Sequence, residues 1–141
     1  TQRVKEMCYI LHNLCHMHLL RYMMGKCFSM PNDYHKLLAY RFFTEGFVLY
    51  LSWNEDHSRY VFDAPAYAKR KQRAFAMVEA AQHIEEADLQ KQILHTLTNG
   101  DLWDRFPDVA GMFFCAALYQ EDGIHGLADY FAQGWEVMIQ E

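Results

Sequence analysis

Apolar positions in this chain recur at three- and four-residue steps, without sustained alternation, so the pattern predicts helices and no strands. The first stretch, Val4 to Met24, sets Val4, Met7, Cys8, Leu11, Leu14, Cys15, Leu19 and Tyr22 on one stripe, widened by Ile10, Met17 and Leu20. An arc that broad predicts a helix buried on most sides. His18 then falls in the core beside Leu11, Leu14 and Cys15, with a local hydrogen-bond partner, and Gly25 supplies a left-handed stop. Ser29-Met30-Pro31-Asn32-Asp33 reads as a turn and a helix start. The second helix runs to about Trp53, with Leu38, Phe42, Glu45, Leu49 and Ser52 or Trp53 on one stripe. Gly46 inside it costs about 1 kcal/mol relative to alanine, which points to a close backbone approach.

The polar loop Asn54-Glu55-Asp56-His57-Ser58 and the triplet Tyr60-Val61-Phe62 lead to a further start, with Asp63 as cap and Pro65 in the first turn. The helical pattern then continues to Leu97 before Asn99-Gly100 ends it. That is long for one globular helix, so a break is expected at Glu85-Glu86-Ala87-Asp88, with Asp88 capping the second segment. Leu102, Trp103 and Phe106 form an apolar knot before a helix from Asp108 to about Gln120. Glu121-Asp122-Gly123 turns the chain into a last amphipathic helix through Leu127, Tyr130, Phe131 and Trp135. The fold class is all-α: a compact bundle of five to six helices, one domain over residues 1–141, with no repeat or interdomain linker.

Composition narrows the function. The 141 residues are 52% hydrophobic and 16% aromatic, which excludes intrinsic disorder. A net charge of −5 disfavours nucleic acid as a partner, and the basic run Lys69-Arg70-Lys71-Gln72-Arg73 reads as a solvated helix face. The four cysteines, Cys8, Cys15, Cys27 and Cys115, show neither metal-ribbon nor disulfide-scaffold spacing. They point to an intracellular, reducing compartment, cytoplasm or organelle matrix. No apolar run approaches the ~20 residues of a membrane span. The opening Thr1 implies processing, trimming or excision from something longer.

One constellation carries chemistry. His12 and His16 sit one turn apart on the first helix, and Glu45 on the second could complete a zinc site. Hydrolysis also needs a proton acceptor, which in the zincin pattern is a glutamate directly after the first histidine. Asn13 stands there, and an amide is neither acid nor base near neutral pH. Phe43-Thr44-Glu45-Gly46-Phe47-Val48-Leu49-Tyr50 resembles the glutamate helix of the mostly helical gluzincin metallopeptidases, and Lys71 to Leu97 is similar to the helix that follows it. The likeness spans about Met7 to Thr98 and implies His12, His16 and Glu45 as ligands of zinc, the one candidate cofactor. Against it stand Asn13 in place of the catalytic glutamate and a chain far shorter than those enzymes. The reading the residues favour puts both histidines at an interface or the rim of the core, with Glu45 paired to Arg41 or another base.

Other chemistries lack support. Glu79 and His83 have no matching pair for a di-iron site, and Cys15 next to His16 points another way round the helix. The aromatic surplus suggests a protein interface or a ligand pocket, with Tyr119, Tyr130, Phe131 and Trp135 as candidates and ordinary core as the alternative. The sequence therefore describes a non-catalytic helical interaction domain, a subunit or fragment of a larger assembly that binds a protein partner or its own copy. It suggests descent from a metallopeptidase-like fold, with a zinc hydrolase and an aromatic-lined small-molecule pocket as the alternatives.

Overall fold

The computed structural model describes residues 1–54 and 65–139. The polar loop after Asn54, the Tyr60-Val61-Phe62 triplet and the Asp63 cap lie outside them. Five α-helices are described: α1 (Gln2–Cys27), α2 (Tyr34–Asn54), α3 (Pro65–Gln82), α4 (Ala87–Asn99) and α5 (Phe106–Gln133). Short 3-10 turns at Leu102–Asp104 and Trp135–Ile139 flank α5, and no strand occurs among the described residues. The all-α bundle is as expected.

Local chemistry sets most boundaries. The Asp33 carboxylate accepts the Lys36 amide at 3.1 Å and caps α2, and Thr1 Oγ1 accepts the Val4 amide at 3.4 Å. The expected break separates α3 from α4, although Glu86 occupies the cap position and Asp88 lies in the first turn. Gly123 interrupts α5 with φ 62° and ψ −145°, a conformation open to glycine and strained for other residues, where the turn was expected. Gly25 is not a stop. The helix continues through it to Cys27 and ends where Phe28 becomes extended.

The spine of the fold is α2 against α5. Their backbones meet at two glycines: a Cβ on Gly46 would lie 2.6 Å from the Gly111 carbonyl carbon, and one on Gly111 would collide with the Phe42 carbonyl oxygen. Around this crossing, the fully buried Phe43 meets Phe28, Phe47 and Tyr130 at ring-centroid distances of 5.1, 5.1 and 4.8 Å. α3 packs on α5, and the Trp135 turn closes over α2. A second cluster of Tyr34, Leu38, Ala81, Leu97 and Phe106 ties in α4.

The first helix departs from expectation. It packs chiefly on α2, through Met17, Leu20 and Met24, and its broad apolar arc is not buried. Val4, Met7, Leu11, Leu14, Leu19, Tyr22 and Met23 are all exposed, and so is His18. The reason is geometric. The α2–α5 spine is already covered by α3 and the C-terminal turn, so α1 meets the body along one narrow edge.

Candidate functional site

Glu45 and Arg41 lie one turn apart on α2, and each finds its counter-charge on a different helix. The Glu45 carboxylate is gripped by Arg21 of α1 through Nε to Oε1 and Nη2 to Oε2, both at 2.8 Å. Arg41 takes Asp108 of α5 in the same two-pronged way, at 3.0 and 2.7 Å, and its Nη2 also donates to the Leu97 carbonyl of α4 at 3.0 Å. The four charges form a ladder joining four helices, and each two-pronged pair fixes orientation as well as distance. The expectation that Glu45 takes a basic partner holds, but the partner is Arg21 rather than Arg41.

The two pairs differ in burial. The Arg21 side chain remains 41% exposed, whereas Asp108 is buried almost completely. Burial, helped by the nearby Glu45 charge, pushes the Asp108 carboxyl up to about 6 against the pull of Arg41. Glu45 raises the Arg21 guanidinium, chiefly through their hydrogen bonds. Each carboxylate oxygen of the ladder already accepts a hydrogen bond from arginine, so a metal or a substrate would have to approach beside a guanidinium.

Of the proposed zinc ligands, Glu45 is thus held by Arg21, and His16 is half-buried and engaged in contacts of its own. The side chains of His12 and Asn13 lie outside the described residues. Along α1, His16 lies about 7.5 Å of helix rise before the arginine that meets Glu45. Among the described residues no three His, Cys, Asp or Glu side chains come together as a metal site.

The aromatic candidates are mostly built into the core. Tyr130 stacks on Phe47 at 5.3 Å, and the buried Trp135 meets Tyr40 edge-on at 5.9 Å. Tyr119 is half-buried beside Tyr50. Phe131 is partly exposed but still packs against Phe28 at 5.3 Å. Tyr130 and Trp135 thus belong to the core, whereas Tyr119 and Phe131 keep part of their surface open. The basic run is solvated as expected, with two of its members employed: Arg70 lies 3.9 Å over the Trp103 ring, and Arg73 pairs with Asp104 at 3.4 Å.

Sequence reasoning missed Arg21 and the role of Asp108. The available signal was a single cation inside the apolar run Met17 to Met24, and an acid at the start of the most apolar helix. No family model, curated protein or solved structure matches this chain. No described helix is long and apolar enough to cross a membrane.

Proposed function

We propose that this chain is a non-catalytic helical interaction domain that docks a partner protein through the outward face of α1. The observation that carries this is the row of large apolar side chains left in solvent there. Val4, Met7, Leu11, Leu14, Leu19, Tyr22 and Met23 are between 47% and 63% exposed. Seven of the eleven large exposed hydrophobic side chains among the described residues lie on this one helix, and a concentrated apolar patch of that kind marks an interaction site. Val4, Met7, Leu11, Leu14 and His18 alternate three- and four-residue steps, the spacing of a helix-on-helix seam.

Charge selects the occupant. Arg3, Lys5 and Lys26 flank the stripe, while Glu6, the one acid in the α1 sequence, lies on the far side and accepts from Gln2 at 3.3 Å. Two copies of α1 laid antiparallel would set Lys26 against Arg3 and Lys5, and a parallel pair would set each cation against itself. Like charges across a seam disfavour pairing. The fitting occupant is an amphipathic helix of another protein with acidic residues beside its apolar seam.

The test uses two synthetic four-heptad helices with leucine at the seam, one flanked by glutamate and the other by lysine. Fluorescence anisotropy is expected to register binding of the acidic helix alone. Leu11→Asp with Leu14→Asp should abolish it while leaving the melting temperature of the domain unchanged. Equal binding of both peptides, concentration-dependent dimerisation in sedimentation, or binding to phosphatidylserine vesicles in preference to the acidic helix would each overturn the reading.

A further inference from the structure

A second feature, on a different part of the surface, concerns small molecules. A cleft of about 440 Å³ opens where Met17 of α1, Leu49 and Ser52 of α2, and the Gly100-to-Arg105 segment before α5 converge. Its volume falls in the range of small-ligand sites, and Met17, Leu49 and Leu102 supply apolar walls. Ser52 is only 5% exposed, and its hydroxyl has no hydrogen-bond partner among the described residues. Helical hydroxyls ordinarily return to the carbonyl one turn back, and Thr44, Thr96 and Thr98 do so at 2.8, 3.1 and 3.0 Å. Ser52 does not. A buried polar group left unpaired is costly, so this hydroxyl calls for a partner from outside the chain.

We propose that this cleft binds a small uncharged amphiphile, with an aliphatic body against Met17, Leu49 and Leu102 and an amide or hydroxyl head bonded to Ser52. The charge pattern decides against an ionic head. Asp101 is exposed and Arg105 half-buried, with its Nε donating to the Gly100 carbonyl at 3.0 Å. One charge of each sign thus lines the cleft, and its formal charge sums to zero. An ion at Ser52 itself would be stripped of water beside a neutral hydroxyl, with no buried counter-charge among the lining residues. A neutral head loses far less on entry and gains the hydrogen bond that Ser52 lacks.

The probe is hexanamide, compared with hexanoate and hexylamine, followed by saturation-transfer NMR and by titration of backbone amide shifts around residues 49–52 and 100–105. Hexanamide is expected to bind in preference to both ions and to perturb those amides. Ser52→Ala should weaken it about five- to tenfold, the worth of one hydrogen bond, and leave the melting temperature of the free protein unchanged or raised. Met17→Trp, which fills the cleft from the α1 side, should abolish binding in a folded protein. A lower melting temperature for Ser52→Ala would mean that the hydroxyl serves the fold, and would overturn the proposal. So would absence of hexanamide binding at millimolar concentration, tighter binding of either ion, or hexanamide binding that Ser52→Ala leaves unchanged. The peptide experiment above probes the outer face of α1, so the two proposals stand or fall separately.

Discussion

Arg21 of α1 closes on Glu45 of α2 through two parallel hydrogen bonds of 2.8 Å, using both carboxylate oxygens. A metal ion recruiting Glu45 would set its charge against a guanidinium already in favourable geometry on both oxygens. Protein prepared without chelator or affinity metal is therefore expected to carry less than one zinc per chain in elemental analysis. Stoichiometric zinc that disappears in His12→Ala would reverse this and return Glu45 to a ligand's role.

The inner pair should matter more to stability than the outer one. Arg41→Met strands a nearly inaccessible carboxylate and should cost about 3–5 kcal/mol in urea denaturation. Arg21→Met leaves Glu45, whose side chain is only 13% exposed, without its partner and should cost less, about 1–3 kcal/mol. The pH dependence follows from Asp108. Its ordinary value is 3.8 and burial lifts it to about 6 in the folded chain, so folding favours the protonated form. Its contribution to stability is complete below 3.8 and is lost as the pH rises through about 6. The stability of wild type relative to Asp108→Asn should accordingly fall by up to about 3 kcal/mol between pH 4 and pH 8. Carbon-13 NMR of the Asp108 carboxyl should show a midpoint near 6, and a midpoint below 4 would contradict this assignment.

The α2–α5 crossing depends on two residues having no side chain. Gly111→Ala drives a methyl into the Phe42 carbonyl oxygen, and Gly46→Ala drives one into the Gly111 backbone. Neither neighbour is a flexible side-chain end that could swing aside. Each substitution should cost about 3 kcal/mol or more, at or beyond the upper end for overpacking, although alanine favours a helix over glycine. Gly25→Ala, where no atom of the described residues would lie within 4 Å of the new methyl, is the control. It should stabilise the protein by about 0.5–1 kcal/mol through helix propensity.

Two buried tyrosines should respond to the same substitution with opposite signs. The Tyr34 hydroxyl donates to the Ala81 carbonyl at 2.9 Å, linking α2 to α3, and Tyr34→Phe should cost about 1 kcal/mol. The Tyr130 hydroxyl is buried with no partner among the described residues, and Tyr130→Phe removes an unsatisfied polar group without changing the ring. That variant should be neutral or up to about 1 kcal/mol more stable, as read from thermal unfolding.

Much of this could be read from local sequence. The period of the apolar positions gave the all-α class, Asn99-Gly100 the end of α4, and Gly123 the interruption of α5. Gly46 signalled its close approach because a helix tolerates glycine poorly without a packing reason. Glu45 announced a need for compensation because it stands among large apolar residues. Its actual partner, Arg21, could not be read, since both Arg41 and Arg21 were within plausible reach and only helix rotation chooses between them. Met17, Leu20 and Met24 turn α1 so that Arg21 faces Glu45, which leaves Arg41 for Asp108.

The sequence by itself determined periodicity, caps and breaks, because these depend on residues within a turn or two of each other. Whether an apolar arc is covered depends on how many other elements reach it, and that is a tertiary decision. α1 and the end of α5 both carry apolar faces. Tyr130 and Trp135 fold back onto α2 and become core, while Val4, Leu11 and Leu14 find no described element to lie against. Local pattern cannot separate these outcomes, since burial is a property of the whole packing and each α-helix carries only the offer of a face.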